Sequence, residues 1–143
     1  MLKIVLDTNV FLSGLLSPNR APARILDLVL SGKCKLVSSP QIIQEIQQVT
    51  QYPGIIKLMK KRKIRPEELA DAILKILRVS AITPGAVKVQ GVCPDPQDDM
   101  FLACGLEGQA DFIISGDKHL LDLKTYQGIQ IVNPATLLEL MER

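Results

Sequence analysis

Short apolar runs that stop at a carboxylate constrain this chain more than any other feature. Leu2-Lys3-Ile4-Val5-Leu6 starts almost at the first residue and breaks off at Asp7-Thr8-Asn9. Its length and character predict a strand buried on both faces. Asp111-Phe112-Ile113-Ile114-Ser115 repeats the pattern and gives way to Gly116-Asp117. Cys34-Lys35-Leu36-Val37 and the segment from Gln127 to Val132 supply further strands, and Val79 to Ile82 another short one. Helical patterns fall between them throughout. That alternation predicts a parallel sheet with helices on both faces, an α/β fold. In such sheets ligands bind beyond the carboxyl ends of the strands, where Asp7 and Asp117 are expected.

The helices announce themselves through their starts. Val10, Phe11, Leu12, Leu15 and Leu16 predict a short helix after Asn9, which is a candidate cap. Pro22 suits a first helical position and Gly32 a C-terminal cap. Ser39-Pro40 opens a helix on which Ile42, Ile46 and Val49 share one face. Glu45 falls within that stripe, whereas Gln41, Gln44, Gln47, Gln48 and Gln51 cover the other sides. An inward-facing acid is costly unless it is paired, protonated or metal-bound. Residues 55–65 form the one dense basic segment, and a solvated helix face accounts for it better than phosphate contact. Pro66 opens another helix, and Pro134 to Arg143 closes the chain with a last one. Val87 and Val89 predict an edge strand or an extended loop. Cys93-Pro94-Asp95-Pro96-Gln97-Asp98-Asp99 puts three carboxylates within five positions ahead of a helix from about Asp98 to Gly108. Its small residues would let that helix approach the sheet closely.

The 143 residues suit a single domain, 1–143, without linker or repeat. With 47% hydrophobic and only 3% aromatic residues, the core must be aliphatic. A net charge of +2 is too small to imply a nucleic-acid or membrane partner. Cys34, Cys93 and Cys104 make neither a disulfide framework nor a zinc motif, and predict reduced thiols of a cytoplasmic protein. Asp7 interrupts the first apolar run, so no signal peptide is expected, and no run is long enough to span a bilayer.

Asp7, Glu45, Asp98, Asp99 and Asp117 are therefore the candidate site. If they converge, their charges repel, and they cannot all stay ionised without cations. Few Lys or Arg residues lie near them in sequence. Mg²⁺ or Mn²⁺, which prefer oxygen ligands and bind substrate phosphate, would resolve the conflict and favour phosphodiester hydrolysis. Asn9, Ser115 and Thr8 are candidates for holding ligands or substrate from behind, with Asp95 adjacent. His119, the lone histidine, is expected at the surface or a helix start. No Gly-x-Gly-x-x-Gly follows a strand, no phosphate-cradling P-loop is present, and no Gly-x-Ser-x-Gly elbow accompanies that histidine.

Four segments together resemble the PIN-domain proteins, particularly the bacterial and archaeal group described as toxin components of toxin–antitoxin systems. They are Leu6-Asp7-Thr8-Asn9-Val10, Ser39 to Ile46, Asp95 to Ala103, and Ile113 to Asp117. They come in family order and span the chain. The resemblance implies a three-layer α/β/α sandwich with a central, mainly parallel sheet. It implies a Mg²⁺- or Mn²⁺-dependent endoribonuclease acting on single-stranded RNA, with a possible cognate antitoxin and a homodimer as partners. The family's four acids map to Asp7, Glu45, Asp99 and Asp117, with Asp98 and Asp95 as adjacent candidates. Its hydroxyl before the fourth acid maps to Ser115.

Two rivals belong to other classes. A catalytically silent PIN scaffold would bind RNA or a protein without cutting, and the complete acid set counts against it. A phosphohydrolase with Asp7 as nucleophile would want a second acid two residues on, where this chain has Asn9.

Overall fold

A computed structural model describes residues 1–142. The strands are β1 (Lys3–Leu6), β2 (Lys35–Ser38), β3 (Ala81–Ile82), β4 (Phe112–Ile114), β5 (Thr125–Tyr126) and β6 (Ile129–Val132). They form one sheet in the order β3-β2-β1-β4-β6-β5. Every pairing is parallel except that of β5 with β6. The helices are α1 (Thr8–Leu16), α2 (Ala21–Leu30), α3 (Pro40–Val49), α4 (Pro53–Lys61), α5 (Pro66–Arg78), α6 (Asp99–Glu107), α7 (Lys118–Leu121) and α8 (Pro134–Met141). The predicted three-layer α/β/α architecture is the one observed.

The order of the strands decides where a site can form. From β1 the chain passes outward to β2 and then β3; from β3 it returns to β4 and moves outward the other way to β6. Right-handed crossovers then set α1 to α5 on one face and α6 and α7 on the other. The direction reverses between β1 and β4, so a crevice opens at their carboxyl ends. Leu6 lies opposite Ile114 there, and the ladder continues one step further through the Asp7 N–H to the Ile114 carbonyl, 3.0 Å. Ile4, Val5, Ile113 and Ile114 have no exposed surface, as strands covered on both faces require.

Several local readings are corrected. The cap of α1 is Asp7 itself, because the helix begins at Thr8; Asn9 lies inside the first turn, exposed. A short 3₁₀ turn, Pro96–Asp98, precedes α6, so the helix begins one residue later than expected. Of the two alternatives for Val87 and Val89, residues 85–90 take the loop. The last strand begins at Ile129, because Gln127 and Gly128 make the turn of an antiparallel hairpin with β5. The basic segment is α4 and its exit. Its lysines are exposed, and the Arg62 guanidinium donates to the Leu16 carbonyl at 2.5 Å.

As expected, α6 lies close to the sheet, against β1, β2 and β4. Gly105 and Gly108 permit that approach, since a Cβ on Gly105 would lie 3.0 Å from Ile129 Cδ1. The helix that carries Glu45, by contrast, packs against α1 and α6.

Candidate active site

Asp7 is the pivot of the crevice. It sits at the end of a central strand and the start of a helix, and is 5% exposed. Its Oδ1 accepts the Val10 N–H at 2.7 Å and its Oδ2 accepts the Ser115 hydroxyl at 2.5 Å. Burial pushes the Asp7 carboxyl above its ordinary pKa. The bonds from Ser115, Val10 and Gly116 act against that, and the Asp117 charge adds to it. Ser115, fully buried, also accepts the Asp117 N–H at 2.9 Å. One hydroxyl thus sets the carboxylate at the end of β1 against the backbone that carries the carboxylate after β4. Asp117 caps α7 by accepting the His119 N–H at 2.9 Å.

Glu45 reaches the same crevice from α3, where it is half-buried. The buried Thr8 hydroxyl, next to Asp7 in the chain, donates to its Oε2. Asp98 approaches from the 3₁₀ turn. Burial, the negative charges of Asp117, Asp95 and Glu45, and a shared hydrogen-bonding position with Asp117 push its carboxyl up to about 7. Asp99 is deeper, 3% exposed, and accepts the backbone N–H of Cys93 at 2.8 Å and that of Val92 at 3.5 Å. It therefore ties the preceding loop to α6, while lining the same cleft as Glu45. Asp95 is exposed and accepts the Gln97 N–H at 3.0 Å. Asn9 is exposed beside Thr8.

Asp7, Glu45, Asp98 and Asp117 are thereby linked, with Thr8 and Ser115 behind them. None of these carboxylates is held in an ion pair: the ion pairs among the described residues are Arg24–Glu142 and Arg65–Glu68, both elsewhere. Among the described residues, no three His, Cys, Asp or Glu side chains stand close enough to enclose an ion as they are placed. The donor set nevertheless fits a hard divalent cation, being all oxygen, mutually repelling and uncompensated. The thiols do not compete for such a role. Burial and the neighbouring Asp99 raise Cys93 to about 12, and burial raises Cys104 to about 12 as well. His119 is exposed at the start of α7, as expected.

One contributor carries no signal in the sequence. Glu107, in the last turn of α6, accepts the N–H groups of Gly85, Ala86 and Val87 at 2.8, 2.9 and 3.2 Å, and so fixes the loop beside the crevice. Nothing in its local pattern distinguishes it from a solvated acid at a helix end.

The fold agrees with comparisons to known proteins. A Methanocaldococcus jannaschii protein, MJ1680, described only as uncharacterized, is 36% identical over 126 residues, 86% of this chain and 76% of its own. The crystal structure of FitAcB from Neisseria gonorrhoeae superposes with a TM-score of 0.53 at 16% identity, covering 92% of this chain and 98% of that one, a likeness of fold. No helix among the described residues is long and apolar enough to cross a membrane. The family model of the PIN domain matches residues 3–119, most of the chain, and the chain belongs to the PIN-domain family.

Proposed function

We propose that this protein is a Mg²⁺- or Mn²⁺-dependent endoribonuclease that hydrolyses single-stranded RNA, formed by one domain over residues 1–143. PIN domains are generally nucleases. The observation that carries the assignment is a linked set of carboxylates at the switch point between β1 and β4, none of them held in an ion pair among the described residues. Asp7, Glu45, Asp98 and Asp117 would hold the ion, and Asp99, whose carboxylate also anchors residues 92 and 93, completes the third acidic position. When bound, a divalent cation offsets the clustered charge and the charge that builds on the phosphate oxygens. The protein's own contribution is preorganisation. Val10 and Ser115 hold the two oxygens of Asp7, and Thr8 holds one oxygen of Glu45. Asn9, exposed beside them, is free to meet the RNA strand.

The resemblance to toxin components extends the proposal to a cognate antitoxin and a second copy of the chain as partners. The three free, buried cysteines favour a cytoplasmic setting. The test is cleavage of a labelled single-stranded RNA in Mn²⁺ or EDTA, by wild type and Asp7→Asn purified side by side. Cutting that needs both the metal and Asp7 is expected. Folded wild type that binds RNA but leaves it intact in Mn²⁺ would replace this assignment with a non-cutting scaffold.

A further inference from the structure

Beside the carboxylates lies a cleft of about 400 Å³. Glu45 and Asp99 stand in its lining, so it is continuous with the proposed site. Gln44 and Gln48 of α3 form one wall, the extended loop with Val87 and Val89 the other, and Met100 and Ala103 of α6 lie between. The loop is a built wall. Glu107 holds three successive N–H groups, and Gln41 Nε2 donates to the Gly85 carbonyl at 2.9 Å. Gly85 has φ +75°, and a Cβ there would meet Gln41 Oε1 at 2.6 Å, so the wall is also close-fitting.

The chemistry of this cleft selects its occupant. Three carboxylates line it, those of Glu45, Asp99 and Glu107, against the single cation Lys88. Away from the ion that Glu45 would hold, Asp99 and Glu107 make the cleft unsuited to a phosphate. The uncharged, flat part of a nucleotide is its base, with apolar faces and edges that donate and accept. Val87, Val89, Met100 and Ala103 offer apolar surface for the faces. Gln44, Gln48, Gln90 and Gln97 offer amides, each with a donor and an acceptor, for the edges. Unpaired bases are the part of an RNA strand that side chains read in this way. We propose that the cleft holds one unpaired base next to the bond that is cut, with its hydrogen-bonding edge on Gln44 and Gln48, and so sets which nucleotide is accepted there. The assignment presupposes the ribonuclease proposed above.

A binding cycle tests it separately from cleavage. Wild type and the exposed-surface double variant Gln44→Ala/Gln48→Ala are titrated in EDTA with fluorescent single-stranded RNAs, intact or lacking one base at each position in turn. Wild type should lose about tenfold in affinity at one position, the scale of one to two hydrogen bonds. The double variant should bind intact RNA about tenfold more weakly, and lose nothing further when that base is removed. Equal base dependence in both proteins would overturn the proposal, as would a double variant that binds intact RNA as wild type does. Phosphate contacts elsewhere would not mimic the expected result, because they are indifferent to a missing base. Wild type that shows the base dependence yet cuts nothing in Mn²⁺ would leave the cleft assigned and remove the nuclease. Wild type that cuts RNA with no base dependence would do the reverse.

Discussion

Ser115 has no exposed surface, and its one hydroxyl proton goes to Asp7. Ser115→Ala removes that bond and the acceptor of the Asp117 N–H together, yet leaves no large cavity. The variant should fold, with an unchanged far-UV spectrum, and lose roughly 10- to 100-fold in RNA cleavage, the usual cost of removing a group that orients ligands from behind. Cleavage at the wild-type rate would deny Ser115 that role. Asp98 gives a pH-dependent prediction. Its folded-state pKa is raised from 3.8 to about 7 by burial and neighbouring acids. A carboxyl raised in this sense stabilises the fold fully below its unfolded pKa and loses that contribution as pH rises through the folded one. In EDTA, Asp98→Asn should therefore melt higher than wild type at pH 8, and the gap should narrow from about pH 7 downward and close near pH 4. A gap independent of pH would mean that Asp98 is not strained by its neighbours.

Among the elements, the proline-led helices were legible because Pro22, Pro40, Pro66 and Pro134 each stand at a first or second helical position, where a missing N–H costs nothing. The antiparallel β5–β6 hairpin was not. Its turn needs two positive φ values, 47° at Gln127 and 85° at Gly128, and Gln is not among the residues that advertise such a turn. The approach of α6 to the sheet was signalled by small residues but not its tightness. A Cβ on Gly108 would fall 2.3 Å from Val37 Cγ1 in the buried β2. Gly108→Ala should destabilise the fold by about 1–3 kcal/mol, as overpacking does. Gly54, at the start of α4, has nothing within 4 Å of such a Cβ. Gly54→Ala should stabilise by about 0.4–1 kcal/mol through the unfolded chain. Urea titration of the pair checks both signs, and a neutral Gly108→Ala would show that β2 and α6 can move apart freely.

At the scale of the whole molecule, the chain brings together carboxylates from the ends of two strands, from α3 and from the turn before α6, across more than a hundred residues. The strand-end acids were legible, since an apolar run that stops at Asp7 or at Asp117 marks the carboxyl edge of a parallel sheet. The division between Asp98 and Asp99 was not, because it depends on a backbone return that brings the N–H groups of residues 92 and 93 onto Asp99 while Asp98 meets Asp117. The cleft beside them was equally hidden, since the alternation of Val87 and Val89 left strand and loop open and did not say what residues 85–90 would face. What unites the set is unbalanced charge, and a binding equilibrium measures it directly. A ligand that binds only the folded state, present at 100 times its Kd, stabilises by about 2.7 kcal/mol, which for a chain of this size raises Tm by roughly 5–10 °C. Wild type should show such a rise in Mn²⁺ or Mg²⁺ and return to its starting Tm in EDTA. Asp117→Asn should lose most of the rise, whereas Asp122→Asn, an exposed acid one short helix away, should keep it. An equal rise in both variants would point to general screening of surface charge, and no rise in wild type would separate this cluster from divalent-cation chemistry altogether.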